Sequence, residues 1–287
     1  MTSRGAELAG VLTTALPVRR IQRSRALVPL QLGELVEYRE LLYFLIWREV
    51  KVRYKQTALG IAWGIIQPFL TMVVFTVVFS RFGRVPSDGL PYPVFAFCAL
   101  LPWQLFAFAL GESSNSVVAN QRLITKVYFP RLIIPLSAVC VGLADFVIGF
   151  VVLLGLMAYY GIAPGPAVWT LPLWTLLAVA TALAMGLWLS ALNVRYRDVR
   201  YTVPFLTQIW LFATPVAYPM SIVPPKWQAL FALNPMVGVV EGFRWALLRN
   251  AAVPATTVGI SASAVLLVLV AGLFYFRRTE RTFADIV

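Results

Sequence analysis

The 287-residue sequence contains no histidine. That removes the side chain that titrates near neutral pH, the commonest metal ligand, and every Ser-His or Cys-His nucleophile pair. Cysteine is almost as scarce. Cys98 and Cys140 each sit in an apolar run, which argues against both a zinc site and a disulfide framework. Charge is scarce too: 13% of residues are charged, 60% are apolar and 14% aromatic, and the mean hydropathy is +0.80. Soluble domains carry about 25% charged and about 45–50% apolar residues. This chain cannot clothe a water-facing surface of its size, so it is an integral membrane protein. A P-loop is also missing. Such a loop needs Gly-x-x-x-x-Gly-Lys-Ser/Thr to cradle phosphates, and none of the four lysines (Lys51, Lys55, Lys126, Lys226) follows a glycine. If the chain moves anything uphill, the energy comes from another chain or an ion gradient.

What the sequence does have is long apolar runs. A helix needs roughly 20 mostly apolar residues to cross a bilayer core of about 30 Å. Six candidate spans satisfy or approach this: 61–79, 94–110, 132–160, 169–192, 203–217 and 258–276. No signal peptide is expected, because residues 1–55 lack an apolar core followed by a small-residue cleavage site. The formal charge is +12, which in a soluble protein would suggest nucleic acid. Its distribution suggests otherwise. Residues 1–60, the connections after the second and fourth spans, and the C-terminal tail together hold 19 bases. The opposite side holds five: Arg81, Arg84, Lys226, Arg244 and Arg249. The positive-inside rule therefore puts both termini in the cytoplasm of a multi-pass protein, with no call for a nucleic-acid partner.

Two cytoplasmic termini require an even number of crossings. A further apolar piece at 234–248 is short and contains Glu241 and Arg244. As a seventh span it would break the parity and bury two charges. Residues 219–248 are therefore read as a re-entrant or interfacial helical hairpin on the outer side, tolerated at depth where protein surrounds it. Two surface helices in the headgroups are the alternative. Glu241 and Arg244, three apart on one helical face, can pair; they either clamp this hairpin or meet the substrate as it leaves. The expected organisation is all-α: a basic, flexible tail at 1–30, an amphipathic interfacial helix and cytoplasmic lead-in at 31–56, and a six-span transmembrane domain at 57–287.

In the lead-in, Leu32, Leu35, Val36, Leu42, Leu45 and Ile46 recur at helical spacing, with Gln31, Glu34, Glu37 and Glu40 largely opposite. Acids early and bases late (Arg48, Lys51, Arg53, Lys55) suit the helix macrodipole. Such a helix is either a lipid anchor or, over 47–56, a docking surface for a cytoplasmic partner. In the loop 113–131, Val117, Leu123, Ile124, Val127 and Phe129 alternate with Asn120, Gln121, Arg122 and Lys126, and Pro130 stops the pattern. A short helix there could insert into a groove on a soluble subunit. A second charged knuckle spans 193–198. Ordinary positive-inside flanking charge would also account for both.

Inside the membrane, Asp145 lies near the middle of the third span, where an ionised carboxylate costs about 2.5–3.5 kcal/mol. A hydrogen bond to a neighbouring helix is favoured over a proton relay, which usually shows more such groups or a histidine. Aromatics are plentiful: Trp63, Phe69, Phe75 and Phe79 on the first span, Trp103, Phe106 and Phe108 on the second, and Trp210, Phe212 and Tyr218 on the fifth. They can pack the bundle, form interfacial belts or line a passage.

Several of these pieces, in order, resemble one family. Arg48-Glu-Val-Lys-Val-Arg-Tyr-Lys-Gln-Thr-Ala-Leu-Gly60 followed by Trp63 and Pro68, then Leu123-Ile-Thr-Lys-Val-Tyr-Phe-Pro130, Asn193-Val-Arg-Tyr-Arg-Asp198, Asn234-Pro-Met236 through Phe243-Arg244, and Phe283-Ala-Asp285 are similar to landmarks in permeases of polysaccharide-exporting ABC transporters. The resemblance covers about residues 35–287. It implies a non-catalytic, six-span permease of the bacterial inner or plasma membrane, working as two permease chains with two ATPase chains. ATP and magnesium would bind on the ATPase, with no cofactor in this chain. The cargo implied is a lipid-linked glycan of the O-antigen (lipopolysaccharide), capsule or teichoic-acid type. By resemblance, residues 123–129 would be a coupling helix, with Arg122, Leu123, Lys126, Tyr128 and Phe129 at the ATPase. Arg48, Lys51, Arg53, Lys55, Arg195, Arg197 and Asp198 would give supporting contacts. Trp63, Phe69, Phe75, Trp103, Phe106, Trp210 and Tyr218 are the candidate passage lining, and Asn234, Glu241 and Arg244 the candidate outer gate. Three other readings stand beside this one: an ABC permease for a drug or small lipid, a membrane-embedded transferase acting on lipid-linked sugars (its outer acids would be only Asp88 and Glu241), and a secondary transporter.

Overall fold

In hydrocarbon a backbone must bond to itself, so apolar runs of this length become helices. The computed structural model describes residues 32–55, 62–249 and 255–286. The expected basic tail at 1–30, Gln31, residues 56–60 of the lead-in motif and Ile61 lie outside the described residues. Within them every regular element is helical and there is no strand.

Two helices precede the bundle, α1 (Leu32–Glu37) and α2 (Arg39–Lys55). Then come α3 (Ala62–Phe75), which continues as a π-helix over Thr76–Phe82, α4 (Tyr92–Ala119), the short α5 (Gln121–Lys126) and α6 (Ile133–Tyr159). A 3-10 turn, Val168–Thr170, leads into α7 (Leu171–Arg195). The chain ends with α8 (Val199–Ala213), α9 (Pro225–Ala232), α10 (Pro235–Leu248) and α11 (Ala255–Ile286). Five segments among the described residues are long and apolar enough to cross a membrane: Ala62–Phe82, Tyr92–Ala119, Ile133–Tyr159, Val168–Arg195 and Ala255–Phe283.

The bundle is built around α4. Of its most apolar stretch 78% is buried, against 17% for α3 and for α11, which sit at the periphery. Helices α6 and α7 flank α4, and α11 packs on α7. The outer helices turn apolar side chains such as Phe69, Val74, Leu266 and Leu267 away from the protein, as lipid or a second chain demands.

Three boundaries differ from the hydropathy reading, each for a physical reason. The second span does not end near residue 110, because α4 runs on to Ala119. Ser113, Ser114 and Ser116 are buried there, and Asn193 Nδ2 on α7 donates to the Ser114 carbonyl at 3.0 Å. Gly186 permits this approach: a Cβ there would come closer than 3.0 Å to Ser113. Small and polar residues at a helix contact look like loop to a hydropathy window but serve close packing. The last helix does not stop at Arg277 and Arg278, since Arg277 pairs with Glu280 one turn on at 2.9 Å. The third difference concerns 203–217. Helix α8 has 15 residues, about 22 Å at 1.5 Å per residue, short of a hydrocarbon core of about 30 Å. Beyond it residues 214–217 form a buried, non-helical turn.

The segment after that turn folds back into the bundle. Asn234 caps α10, its Oδ1 accepting from the Met236 amide at 3.1 Å, with Pro235 at the first helical position. Helix α10 is buried along nearly its whole length against α4, α7 and α11. Its lead-in lies beside Ser261, whose hydroxyl donates to the Ala232 carbonyl at 2.9 Å. Ser261 is six residues into α11, about 9 Å along that helix.

Candidate functional site

The expected functional residues fall into three groups. The first is the platform around the short helix that the charge distribution assigns to the cytoplasmic side. The short helix α5 exists, but at Gln121–Lys126 rather than across 123–129; residues 127–131 are non-helical, as the restriction on a residue preceding proline favours. Its apolar face is seated in its own chain. Ile124 and Phe129 are buried in a cluster with Val117, Leu187, Val194, Phe276 and Phe283, against which Leu123 packs. Phe276 and Phe283 meet edge-to-face with centroids 5.3 Å apart, and Arg131 donates to the Glu280 carbonyl. The opposite face is outward: Arg122 and Lys126 are exposed, and Tyr128 is 77% exposed. Arg195, Arg197 and Asp198, at the end of the helix that contributes Val194, are exposed too. The family resemblance implies Phe129 as a contact for the ATPase. Its burial makes it a support for α5 within this chain.

The second group joins the lead-in to the bundle. Arg48 donates to the Asn120 side chain at 3.0 Å, at the junction of α4 and α5. Lys51 and Lys55 are exposed. Arg53 does not face outward alone: its Nη2 lies 2.6 Å from Asp145 Oδ2, and its guanidinium sits 4.3 Å from the Phe108 ring centre. Tyr54 donates its hydroxyl proton to the other oxygen of Asp145. Burial and the Asp145 carboxylate raise the Tyr54 phenol to about 12, so it remains a donor at neutral pH. Asp145 thus satisfies both oxygens on the lead-in helix, in keeping with the expected hydrogen bond to a neighbouring helix. Beside this cluster lies a cavity of about 450 Å³, walled by α3, α4 and α6 and lined by Trp63, Gln67, Trp103, Gln104, Arg53 and Asp145 among others. The sequence assigns Trp63 and Trp103, Arg53, and Asp145 to three separate sites. The structure brings them together.

The other aromatics divide. Trp103, Phe106 and Trp210 form one packed group, with Phe106 and Trp210 5.0 Å apart and Trp103 and Trp210 6.5 Å apart. Trp103 and Phe106 are buried, as is Phe75, which packs on Phe79 at 5.2 Å. Trp63 and Phe69 are about half exposed. Tyr218 is partly buried and donates to the Phe212 carbonyl at 3.0 Å.

The third group is the segment 214–248, expected to lie on the outer side, and it is organised by one arginine. Arg244 is fully buried. It donates from Nη1 to Glu241 Oε1 at 2.9 Å and to the Tyr218 carbonyl at 3.3 Å, and from Nη2 to the Val216 carbonyl at 2.8 Å. The guanidinium stacks 3.8 Å from the centre of the Phe95 ring. Tyr92 donates to the Ala217 carbonyl at 2.7 Å, and Asn234 Nδ2 to Thr214 Oγ1 at 2.9 Å. The candidate gate residues Asn234 and Arg244 therefore hold the non-helical turn 214–218. The i, i+3 spacing foretold the Glu241 pair, whereas the carbonyl partners carry no sequence signal. Among the described residues no three Cys, Asp or Glu side chains converge as metal ligands.

Comparison with known proteins converges on one family. Residues 40–248 match the family model described as ABC-2 type transporter. An O-antigen export system permease protein, RfbA, from Myxococcus xanthus is 34% identical over 254 residues, covering 86% of this chain and 96% of that protein. An RfbA protein from Klebsiella pneumoniae is 29% identical over 249 residues, covering 86% and 95%. The polysialic acid transport protein KpsM of Escherichia coli is 24% identical over 242 residues, covering 82% and 92%.

Proposed function

Because the chain belongs to the ABC-2 type transporter family, we propose that it is the permease subunit of an ATP-driven exporter that carries a lipid-linked polysaccharide out across the inner or plasma membrane. Its cargo class is inferred from the similar permeases for O-antigen and polysialic acid. One observation supports the ATP-driven reading above others. Helix α5, braced from behind by Ile124, Phe129 and Phe283, holds Arg122 and Lys126 outward where a soluble ATPase could push. The family's transport role leaves ATP and magnesium to that partner. Two ATPase chains and a second copy of this chain complete the assembly, with the half-exposed apolar faces of α3 and α8 available to lipid and to the second copy.

In this reading the membrane domain has six crossings and both termini are cytoplasmic. Helix α8 is the fifth and is too short alone. The turn 214–217 and the α9–α10 hairpin, entering from the outer side, complete its depth. The close fit of α10 among α4, α7 and α11 supports a re-entrant hairpin over surface helices. Helices α1 and α2 are the interfacial lead-in: Leu35, Tyr38 and Leu41 pack on the cytoplasmic cluster, while Tyr43, Phe44 and Trp47 are exposed for lipid. Trp63 and Phe69 face the passage at its edge, and Trp103, Phe106 and Trp210 stiffen its wall.

The test is depletion of the chain in its host. The proposal expects surface glycan to disappear while lipid-linked glycan accumulates in the cytoplasmic leaflet. Normal surface glycan in depleted cells would overturn it.

A further inference from the structure

The cavity beside Asp145 has a composition that discriminates between ligands. Among the described residues its only charged lining residues are Arg53 and Asp145, and these neutralise each other at 2.6 Å. Tyr54 is committed to the same carboxylate. The remaining polar groups are uncommitted: among the described residues, the side-chain amides of Gln67 and Gln104 and the indole N–H groups of Trp63 and Trp103 have no hydrogen-bond partner. A volume of about 450 Å³ falls within the about 300–1,000 Å³ typical of small-molecule sites.

An anion fits this lining poorly. The one cation is already compensated, and an incoming phosphate would stand beside the Asp145 carboxylate at close range. An uncharged ligand with hydroxyl edges and apolar C–H faces fits well. Indole rings offer flat apolar faces and an N–H at the edge, and a primary amide both donates and accepts. From this we infer that the cavity is a sugar-binding subsite. It holds one or two residues of the cargo glycan, with Trp63 as the stacking platform, Gln67 and Gln104 as the hydroxyl readers, and the Arg53–Asp145–Tyr54 cluster fixing its wall. The site rests on the proposed glycan cargo and adds to it a place within one protomer where sugar identity is read.

Isothermal titration of the detergent-purified full chain tests this. The probes are the oligosaccharide repeat released by mild acid from the host's own surface glycan, and inorganic pyrophosphate. The repeat should bind saturably to the wild type, and its affinity should fall at least about tenfold in Gln104→Ala and in Trp63→Ala. Gln67→Ala, at an exposed position, should weaken binding without disturbing the fold, and Trp63→Phe should keep most of the affinity through stacking. Pyrophosphate should neither bind in the cavity nor compete. Wild-type-like affinity in the alanine variants, no saturable binding of the repeat, or displacement of the repeat by pyrophosphate would each overturn the subsite. The depletion strain separates the two layers: if it loses its surface glycan while the repeat ignores the cavity, the subsite fails alone, and if it keeps its surface glycan the cargo assignment itself fails.

Discussion

Replacing Arg244 by methionine perturbs the centre of the packing between α10 and the turn 214–218. The guanidinium is fully buried and serves three acceptors, the Glu241 carboxylate and the carbonyls of Val216 and Tyr218. Methionine keeps much of the volume and none of the donors. Removing one partner of a buried ion pair costs about 3–5 kcal/mol, because the other charge remains without its partner. Hydrogen bonds to a charged group contribute about 1.5–3 kcal/mol each, and the contact with Phe95 up to about 2 kcal/mol. These contributions do not add, because the mutation also relieves the burial of the guanidinium, whose Nε has no hydrogen-bond partner among the described residues. A net loss of about 3–5 kcal/mol is the expectation. Glu241 is 17% exposed at its side chain, so neutralising it as well should recover much of the loss: Arg244→Met/Glu241→Gln should be more stable than Arg244→Met alone. The assay is a double-mutant cycle by SDS-titrated unfolding in mixed micelles, with proteolysis near Pro224 reporting on the hairpin. A loss below about 1 kcal/mol for Arg244→Met, or a double variant no better than the single, would refute the view that this one side chain braces the turn.

Three further outcomes are expected. Phe283→Ala removes a fully buried ring from the support behind α5; it should cost about 3–5 kcal/mol and reduce co-purification of the ATPase, while membrane insertion measured by carbonate extraction stays normal. Gly242→Ala would bring a Cβ closer than 3.0 Å to the Trp174 indole, so it should destabilise the chain by about 1–3 kcal/mol in the same unfolding assay, whereas Gly155→Ala, with open space around it, should not. Arg122→Glu with Lys126→Glu should weaken ATPase association and leave unfolding within about 0.5 kcal/mol of wild type, and unchanged co-purification together with unchanged export would remove α5 from the coupling role.

Hydropathy reads the spans well where a helix meets lipid. The apolar runs near 61–79, 132–160 and 169–192 correspond closely to α3 with its π-helical extension, α6 and α7. It reads them poorly where helices meet each other, because the polar Ser113–Ser116 stretch is buried by close packing on Asn193 and Gly186 of a distant segment. The same limit applies to the site. Residue chemistry identified Arg53, Asp145, Trp63 and Trp103 singly, but the partnership of Arg53 with Asp145 spans 92 positions and leaves no periodic trace. Gln67 and Gln104 carry no signal in the sequence, since an isolated amide in a span has many uses. They become conspicuous only when the cavity between α3, α4 and α6 is seen. The i, i+3 pair of Glu241 and Arg244 was legible because a single helix sets its geometry.

On our proposal this chain moves a lipid-linked glycan outward, powered by a separate ATPase through α5. Reconstitution of the purified chain with its ATPase in sealed vesicles, carrying the host's lipid-linked glycan in one leaflet and monitored by an impermeant lectin, tests it most directly. The prediction is lectin access that requires ATP and the wild-type chain and is abolished by Arg122→Glu/Lys126→Glu. Access at the same rate without the ATPase, or no access with the complete wild-type complex and ATP, would contradict it.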